Sequence, residues 1–437
     1  MINIPIFTDE AIYLRWGQII SGDLHYLYLP LTDGKPPFFM WLVALVMKLF
    51  PGFDPLFSGR LVSLVAGLFG MFGVYFLANQ MFKKKNLSIL AVVFYLSSPF
   101  IFLYSQFATA DILLAAFGTW SLGLGVALVK NLKVKTAIIL GIVIGLGMFT
   151  KSPGLEFLLL LPITLLLGFR IRWLGLMGIV FLVSRLIYSV VFFFPEAYVI
   201  SLKNADFASI SLPLHFLGNF PPLLNWEMTY LTWPVALLIV ISLFYKRSKE
   251  KFILFAYFAA HFLFMAFFNK VIYPRFLLMF TPLLFVLAAT VINELGLKFL
   301  VPVLIFPLFI NYKLLTDPTK ALIADNDSVQ YLNSRSAGWG IKELNTFFTQ
   351  KCKNYSKIKV GVEGTFGLMP QALELYQKSH SCLEISPFWP PPENLPQGFD
   401  YYVIYQRETP SNWKMKLVKE FKQGYSNDYL KLYKITP

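Results

Sequence analysis

Charged side chains are scarce in this sequence. Asp, Glu, Lys and Arg make up 14% of the 437 residues, whereas hydrophobic residues make up 57%. Soluble domains carry about 25% charged residues, so a chain of this composition needs lipid as its solvent. The scarcity is uneven, because apolar runs fill residues 58–312 and a polar mixture fills residues 313–437. We therefore predict a membrane domain over residues 1–312 and a small soluble α/β domain over residues 313–437.

Cysteine is also rare. The two cysteines, Cys352 and Cys382, both lie in the predicted soluble domain, and neither is near a pair of histidines. This pattern excludes a Cys/His zinc site, whereas one disulfide and a pair of free buried thiols are both compatible with it. No metal and no cofactor is expected, since the adjacent acids Asp9 and Glu10 alone offer too few ligands for a divalent ion.

Basic residues are not scarce, and their positions indicate the topology. The net charge of +14 does not indicate nucleic acid, because most Lys and Arg residues fall in loops between apolar runs. A spanning helix needs roughly 17 to 25 residues. About ten apolar segments are predicted to span the membrane: 58–81, 87–104, 108–129, 136–150, 153–169, 172–194, 229–245, 252–268, 273–293 and 298–312.

Alternate loops differ strongly in charge. One side of the predicted membrane domain holds Lys83–Lys85 and most other loop lysines and arginines, so that side is predicted to be cytoplasmic. The N-terminal segment, the loop 195–228 and the soluble domain then lie outside. Residues 8–50 are predicted to form outer interfacial helices, because the apolar stretch 38–50 is too short to span and Trp41 suits headgroup depth. Because the N-terminal segment shows no signal peptide, we expect the natural protein to carry another spanning helix before it.

Ionisable residues collect at one level of this topology. They fall at the outer ends of helices or in outer loops: Asp9, Glu10, Lys35, Asp111, Lys151, Glu156, Lys270 and Arg275. Such groups beside spanning helices are costly and are therefore functional candidates. A transporter would place them near the midplane. The pattern favours an enzyme with a reaction site at the outer face over a transporter or a lipid-linked glycan flippase.

Each candidate also has a structural interpretation. Asp9 and Glu10 begin a predicted helix, whose N-terminus stabilises carboxylates, and Asp9 is as well suited to be an N-cap. Lys35 stands on a stiff Lys-Pro-Pro turn, from which it reaches either a lipid phosphate or the headgroups. Asp111 begins a helix and Arg275 has the same two interpretations as Lys35.

Two further features are given no role from the sequence. His261 stands among phenylalanines and is predicted to be a packed helix residue. The glycines of residues 361–367 follow a predicted strand, but their spacing does not match the dinucleotide-binding fingerprint.

Six short motifs occur in an order that is informative as a set. They are Asp9-Glu10, Gly34-Lys35-Pro36-Pro37, Ser58-Gly59-Arg60-Leu61, Phe107-Ala108-Thr109-Ala110-Asp111, Phe149-Thr150-Lys151-Ser152-Pro153 and Tyr273-Pro274-Arg275-Phe276. Over roughly residues 7–293 the chain resembles the protein O-mannosyltransferase and aminoarabinose transferase superfamily, which are membrane glycosyltransferases with a C-type fold. The resemblance implies inverting transfer of a sugar from a polyprenyl-phosphate donor to a hydroxyl of a glycan, lipid or protein. It also implies a multi-pass protein of the plasma membrane.

The resemblance implies roles for individual residues. Asp9, with Glu10 beside it, corresponds to the base that takes the acceptor proton. Lys35 and Arg275 correspond to the cations that bind the donor phosphate. Asp111, and with it Lys151 and Tyr13, corresponds to acceptor binding or positioning. This assignment is chemically consistent, because a phosphodiester leaves as a stable anion and needs nearby cations rather than a general acid.

The predicted soluble domain alternates strand-like and helical segments. Strands are predicted at 357–362, 382–385, 401–405 and 429–435, and helices near 341–350 and 369–378. Such alternation is typical of a small α/β domain. Its role, either acceptor binding or covering of the site, is left open by the sequence.

Overall fold

The computed structural model describes residues 4–189, 215–377, 382–393, 398–405, 413–424 and 426–436. Eighteen α-helices lie within these residues and are numbered in chain order. They are α1 (Thr8–Gly22), α2 (Phe38–Leu49), α3 (Pro55–Phe82), α4 (Lys85–Ser97), α5 (Pro99–Tyr104), α6 (Asp111–Asn131), α7 (Val134–Thr150), α8 (Glu156–Leu159), α9 (Arg172–Tyr188), α10 (Phe216–Leu231), α11 (Trp233–Phe244), α12 (Lys249–Phe268), α13 (Pro274–Leu277), α14 (Thr281–Leu295), α15 (Leu300–Thr316), α16 (Asp325–Tyr331), α17 (Ile341–Cys352) and α18 (Gln371–Tyr376).

Four helical segments in the described part are long and apolar enough to cross a membrane: α3, α6, α12 and Leu297–Thr316. Helices α10 and α11 meet the same test as a pair bent by 105°. Shorter apolar helices, including α2, α4, α7 and α14, surround them. The number of spans predicted from the sequence, about ten, stays a prediction. The end of the predicted segment 172–194 and most of the loop 195–228 lie outside the described residues.

Proline divides several segments that the sequence predicts as continuous spans. The predicted segment 87–104 is split between α4 and α5, and Pro99 begins the second helix. The segment 273–293 is split between α13 and α14, which begin at or next to Pro274 and Pro282. A proline cannot donate the backbone hydrogen bond of a helix interior, so it is placed where a helix begins.

Helices α1 and α2 occupy the region predicted to be interfacial. They pack closely, because a Cβ atom on Gly17 would lie 2.7 Å from Val43 Cγ1. The turn before α2 is closed by Gly34, whose φ of 70° suits glycine. The indole Nε1 of Trp41 donates a hydrogen bond to the carbonyl of Leu27 at 2.6 Å. These contacts fix the position of Lys35, which follows the turn.

Helix α6 is the centre of the membrane domain, since nearly all of its residues are buried. It packs against α3 through small residues of that helix. A Cβ atom on Gly73 would lie 2.9 Å from Trp120, and one on Gly59 would lie 2.8 Å from the Cβ of Ala108, just before α6. Small residues let helices approach closely in lipid, where the hydrophobic effect does not draw helices together. The close packing buries Asp111, the first residue of α6.

The soluble domain is built on a five-stranded sheet with the order β2-β1-β3-β5-β4. The strands are β1 (Ile358–Glu363), β2 (Leu383–Phe388), β3 (Tyr401–Ile404), β4 (Met415–Lys422) and β5 (Tyr429–Ile435). Strand β1 pairs in parallel with β2 and β3, and β5 pairs antiparallel with β3 and β4. Four strands coincide closely with predicted ones, whereas β4 is an exposed edge strand whose lysines hide its apolar alternation. Cys352 and Cys382 form a disulfide, with Cα atoms 5.6 Å apart.

The soluble domain docks on the N-terminal segment. The Nε of Arg15 donates to Glu374 at 3.1 Å, and the side-chain amide of Gln18 donates to the carbonyl of Leu375 at 2.8 Å. Phe7 forms a β-bridge with Ala337. Helix α1 therefore lies between the membrane domain and the soluble domain.

Candidate active site

The first predicted acid, Asp9, pairs with Arg275, the predicted cation of the Tyr-Pro-Arg-Phe motif. The Nη1 atom of Arg275 donates to Asp9 Oδ2 at 2.8 Å. The guanidinium also lies 4.8 Å from the ring centre of Tyr273. A quarter of the Asp9 side chain remains exposed.

A second ion pair lies near the first, and Asp111, Lys151 and Arg275 line the same cavity. The Nζ of Lys151 donates to Asp111 Oδ1 at 2.6 Å, across the gap between the end of α7 and the start of α6. The ammonium lies 5.2 Å from the ring centre of Phe276. Because Phe276 directly follows Arg275, the short helix α13 contacts both ion pairs.

Glu10 has a different environment from its neighbour. Its side chain is fully buried and accepts two hydrogen bonds from Arg60, each 2.9 Å long. The backbone N–H groups of Ala108 and Phe7 also donate to it, at 2.7 Å and 3.2 Å. A carboxylate that accepts four hydrogen bonds in the interior holds three chain segments together and has no free face towards the cavity.

Lys35 and Tyr13 lie together on the site-facing side of α1. The Nζ of Lys35 donates to Asp33 at 2.7 Å and lies 5.4 to 5.7 Å from the ring centres of Tyr13, Trp16 and Phe366. Burial and the Asp9 carboxylate raise the pKa of Tyr13 well above its usual range. The phenol therefore stays protonated and is available as a hydrogen-bond donor.

An apolar groove leads to these charges. A cavity of about 400 Å³ is lined mainly by apolar side chains from α8, α12 and the segment of α13 and the residues after it, among them Leu159, Phe264 and Met279. Asp111, Lys151 and Arg275 line the same cavity. The groove thus offers a long apolar surface together with two cations and a carboxylate.

A larger cleft of about 710 Å³ lies on the other side of α1. It is lined by residues 4–6, by the segment 50–56 and by the soluble domain from Gly338 to Thr346. None of the seven predicted site residues, all within the described part of the chain, lines this cleft. Three of the seven, Asp111, Lys151 and Arg275, line the apolar groove.

The structure thus places the predicted site residues in three groups. Asp9 pairs with Arg275, Asp111 pairs with Lys151, and Tyr13 lies under Lys35. Tyr13 interacts electrostatically with Asp9, Asp111 and Arg275, which brings the three groups to one region. Glu10 lies next to this region, but its hydrogen bonds are to Arg60, Ala108 and Phe7. Among the described residues, no group of three His, Cys, Asp or Glu side chains could hold a metal ion, and the metal-free site stays a prediction.

Several residues of this region had no predicted role. Glu156 and His261 line the groove, and His261 forms two hydrogen bonds in addition to the packing predicted for it. Phe366 comes from the glycine-rich segment 361–367, where Gly364 and Gly367 have φ of 103° and 117°. Glycine readily adopts such backbone angles, so a tight loop explains these glycines without nucleotide binding. The sequence signal for Phe366 was the pair of glycines around it.

Comparison with known proteins agrees with this architecture. Residues 34–198 match the family model of dolichyl-phosphate-mannose-protein mannosyltransferases. None of the curated proteins matches the sequence significantly. The family match confirms the resemblance predicted from the motifs.

Solved structures extend the likeness to the whole chain. ArnT from Cupriavidus metallidurans in the apo state is 13% identical, with a TM-score of 0.64 over 99% of this chain and 94% of that one. The same protein bound to undecaprenyl phosphate is 14% identical, also with a TM-score of 0.64, over 98% of this chain and 94% of that one.

An oligosaccharyltransferase from Archaeoglobus fulgidus is 15% identical, with a TM-score of 0.52 over 92% of this chain and 64% of that one. At these identities the matches show the fold. The chain is a polytopic α-helical membrane protein with the C-type glycosyltransferase fold and a small C-terminal α/β domain.

Proposed function

We propose that this protein is an inverting glycosyltransferase that moves a sugar from a polyprenyl phosphate to an acceptor hydroxyl. The observation that carries the proposal is the apolar groove with Lys151 and Arg275 in its lining and Asp9 bonded to Arg275. A lipid tail with a phosphate headgroup has this distribution of apolar surface and negative charge.

The donor is proposed to bind with its isoprenoid chain along the groove and its phosphate between the two cations. Charge-assisted contacts from Lys and Arg are the strongest that proteins make to phosphate oxygens. The undecaprenyl phosphate bound to the ArnT of similar fold supports this class of donor. Lys35 is assigned a third contact to the donor, because it lies above Tyr13 in the same region.

Asp9 is proposed to be the general base. In the absence of donor its carboxylate is held by Arg275. A phosphate bound at Arg275 competes for that guanidinium and leaves the carboxylate free to accept the proton of the acceptor hydroxyl. The hydroxyl oxygen then attacks the anomeric carbon in a single displacement, and the bond from that carbon to the phosphate oxygen breaks. The polyprenyl phosphate leaves as an anion neutralised by the cations, so no general acid is needed.

The remaining predicted residues position other side chains and the substrates and do not transfer protons. Asp111 holds the ammonium of Lys151 in the groove through the 2.6 Å hydrogen bond. Tyr13 offers its phenol between Asp9 and Lys35 as a donor to sugar or phosphate oxygens. The acceptor, whether glycan, lipid or protein, is proposed to approach from the outer side of the plasma membrane, where the soluble domain lies.

Transfer of a labelled sugar tests this proposal. The full-length protein is incubated in lipid nanodiscs with labelled polyprenyl-phosphate sugars and a cell-envelope acceptor fraction. Asp9→Asn is expected to lower transfer about 100-fold to 10,000-fold, the range for loss of a general base, while binding of polyprenyl phosphate persists. Asp23→Asn is the matched control, because Asp23 is an exposed carboxylate just beyond the other end of α1.

The outcomes separate the proposal from its alternatives. Transfer by Asp9→Asn at the rate of the unchanged protein would remove Asp9 from the mechanism. Movement of a lipid-linked sugar across the bilayer, without transfer to any acceptor, would identify a flippase instead.

A further inference from the structure

His261 and Glu156 form a buried pair beside the donor groove. Nδ1 of the imidazole lies 2.7 Å from Glu156 Oε2, and its Nε2 lies 2.9 Å from the carbonyl oxygen of Phe276. The histidine is 3% exposed, and its ring packs against Phe280 with 5.1 Å between ring centres. Both ring nitrogens therefore face oxygen atoms.

This arrangement fixes the number of protons in the pair. A carbonyl oxygen only accepts, so Nε2 carries a hydrogen and donates it to Phe276. The contact between Nδ1 and Glu156 then needs one more hydrogen, carried either by an imidazolium or by a protonated carboxyl group. Loss of that hydrogen would place a nitrogen lone pair against a carboxylate oxygen inside the protein.

The carbonyl that receives the hydrogen bond belongs to the segment that carries one groove cation and contacts the other. Phe276 lies under the ammonium of Lys151, and Arg275 precedes it in the four-residue helix α13. A helix this short has little internal hydrogen bonding, so its position depends on outside contacts. The imidazole supplies such a contact to α13 from the membrane-domain helix α12.

We propose that His261 and Glu156 are positioning residues that hold Arg275 and Lys151 in place for the donor phosphate. This inference rests on the proposed function. The charged groups that line the same groove are Asp111 on α6, Lys151 after α7, and Arg275 on α13. The charges of α12 itself, Lys249 to Lys251, lie at its start, about three turns from His261.

Donor affinity is therefore expected to depend on this hydrogen-bonded pair. In Glu156→Gln the amide donates to Nδ1 while Nε2 still donates to Phe276. The dissociation constant of that variant for polyprenyl phosphate should therefore stay close to that of the unchanged protein. His261→Ala should weaken binding about tenfold, because the carbonyl loses its partner.

The test measures binding of polyprenyl phosphate, without a sugar, to the full chain in nanodiscs. A dissociation constant that rises about tenfold in His261→Ala but stays near the unchanged value in Glu156→Gln supports the inference. Equal dissociation constants for His261→Ala and the unchanged protein would overturn it. His25→Gln is the matched control, because His25 is an exposed histidine near the end of α1.

Turnover provides a second measurement that separates positioning from folding. His261→Ala is expected to raise KM for the donor about tenfold and to change kcat much less, provided that it elutes as a single species in detergent. An equal loss in kcat with unchanged KM would overturn the inference. No binding by the unchanged protein would contradict the lipid donor itself, and the inference would fall with it.

Discussion

The two sides of helix α1 carry similar residue types in different environments. On one side lie Asp9, Tyr13 and Trp16, spaced by four and three residues. Asp9 bonds Arg275 of the groove lining, and the rings of Tyr13 and Trp16 lie under Lys35. On the other side Glu10 binds Arg60, and Arg15 and Gln18 bind the soluble domain. Asp9 keeps 25% of its side chain exposed, whereas Glu10 keeps none.

The difference follows from helix geometry. Successive residues of a helix point about 100° apart, so two adjacent acids cannot share one environment when the helix lies between two packed layers. The acid on the open side, Asp9, is bonded to Arg275 and is the residue proposed as the general base. The acid on the closed side becomes part of the framework that positions it.

The largest effect is expected on the closed side. Glu10→Gln leaves the buried Arg60 guanidinium without its counter-charge, which costs about 3–5 kcal/mol when one partner of a buried pair is removed. We expect a large fall in thermal stability in detergent, with activity lost only because the fold is lost. Asp9→Asn, which acts on the open side, should melt close to the unchanged protein.

Two controls sharpen this prediction. Glu10→Leu combined with Arg60→Leu should recover part of the lost stability, because it removes both charges together. Recovery is incomplete because the backbone N–H groups of Ala108 and Phe7 lose their acceptor. Glu374→Gln breaks a pair that is about a quarter exposed and should cost about 0.2–1 kcal/mol. If Glu10→Gln kept its melting temperature but lost turnover, Glu10 would belong to the chemistry instead.

A second buried carboxylate joins the soluble segment to the membrane helices, and it titrates. Asp327 on α16 is fully buried and accepts hydrogen bonds from Tyr104, at 2.8 Å, and from Tyr230. Burial raises its pKa from 3.8 to about 7, against the lowering effect of the two phenols. Because the folded-state pKa is raised, its contribution to stability is complete below about pH 4 and is lost as pH rises to about 7.

We therefore expect the thermal stability of the full chain to fall across this interval, by roughly 4 kcal/mol at most. Asp327→Asn should remove this part of the pH dependence, as measured by melting curves in detergent at several pH values. Asp325→Asn, an exposed acid on the same helix, is the control and should leave the slope as it is. An identical slope in Asp327→Asn would show that another group causes it.

The sequence predicted which charged residues come together better than it predicted how they pair. The order of motifs led to Asp9, Arg275, Asp111 and Lys151, because charges at helix ends in lipid are rare and costly. It could not separate Glu10 from Asp9, since only packing decides which side of α1 faces the groove. Long-range pairs such as His261 with Glu156 were also beyond it, because 105 residues separate the partners. In the soluble domain the alternating strands were visible, but the polar edge strand β4 was not.

Substitution of Phe366 has the smallest expected effect, and it tests the side of α1 on which Lys35 lies. The loop of the soluble domain places this ring 6.1 Å from Trp16 and 5.7 Å from the ammonium of Lys35, with 47% of the residue exposed. A cation over an aromatic ring is stabilised by about 0.5–1 kcal/mol at such a site. Phe366→Leu should thus raise KM for the donor about twofold to fivefold, with little change in stability, whereas Phe366→Trp should retain the wild-type value.

Tyr355→Leu removes an exposed ring of the same domain whose described cation contact is Lys351, so it controls for loss of surface aromatic area. Equal KM values for the Leu and Trp variants at position 366 would show that the soluble domain touches Lys35 without helping it to bind the donor.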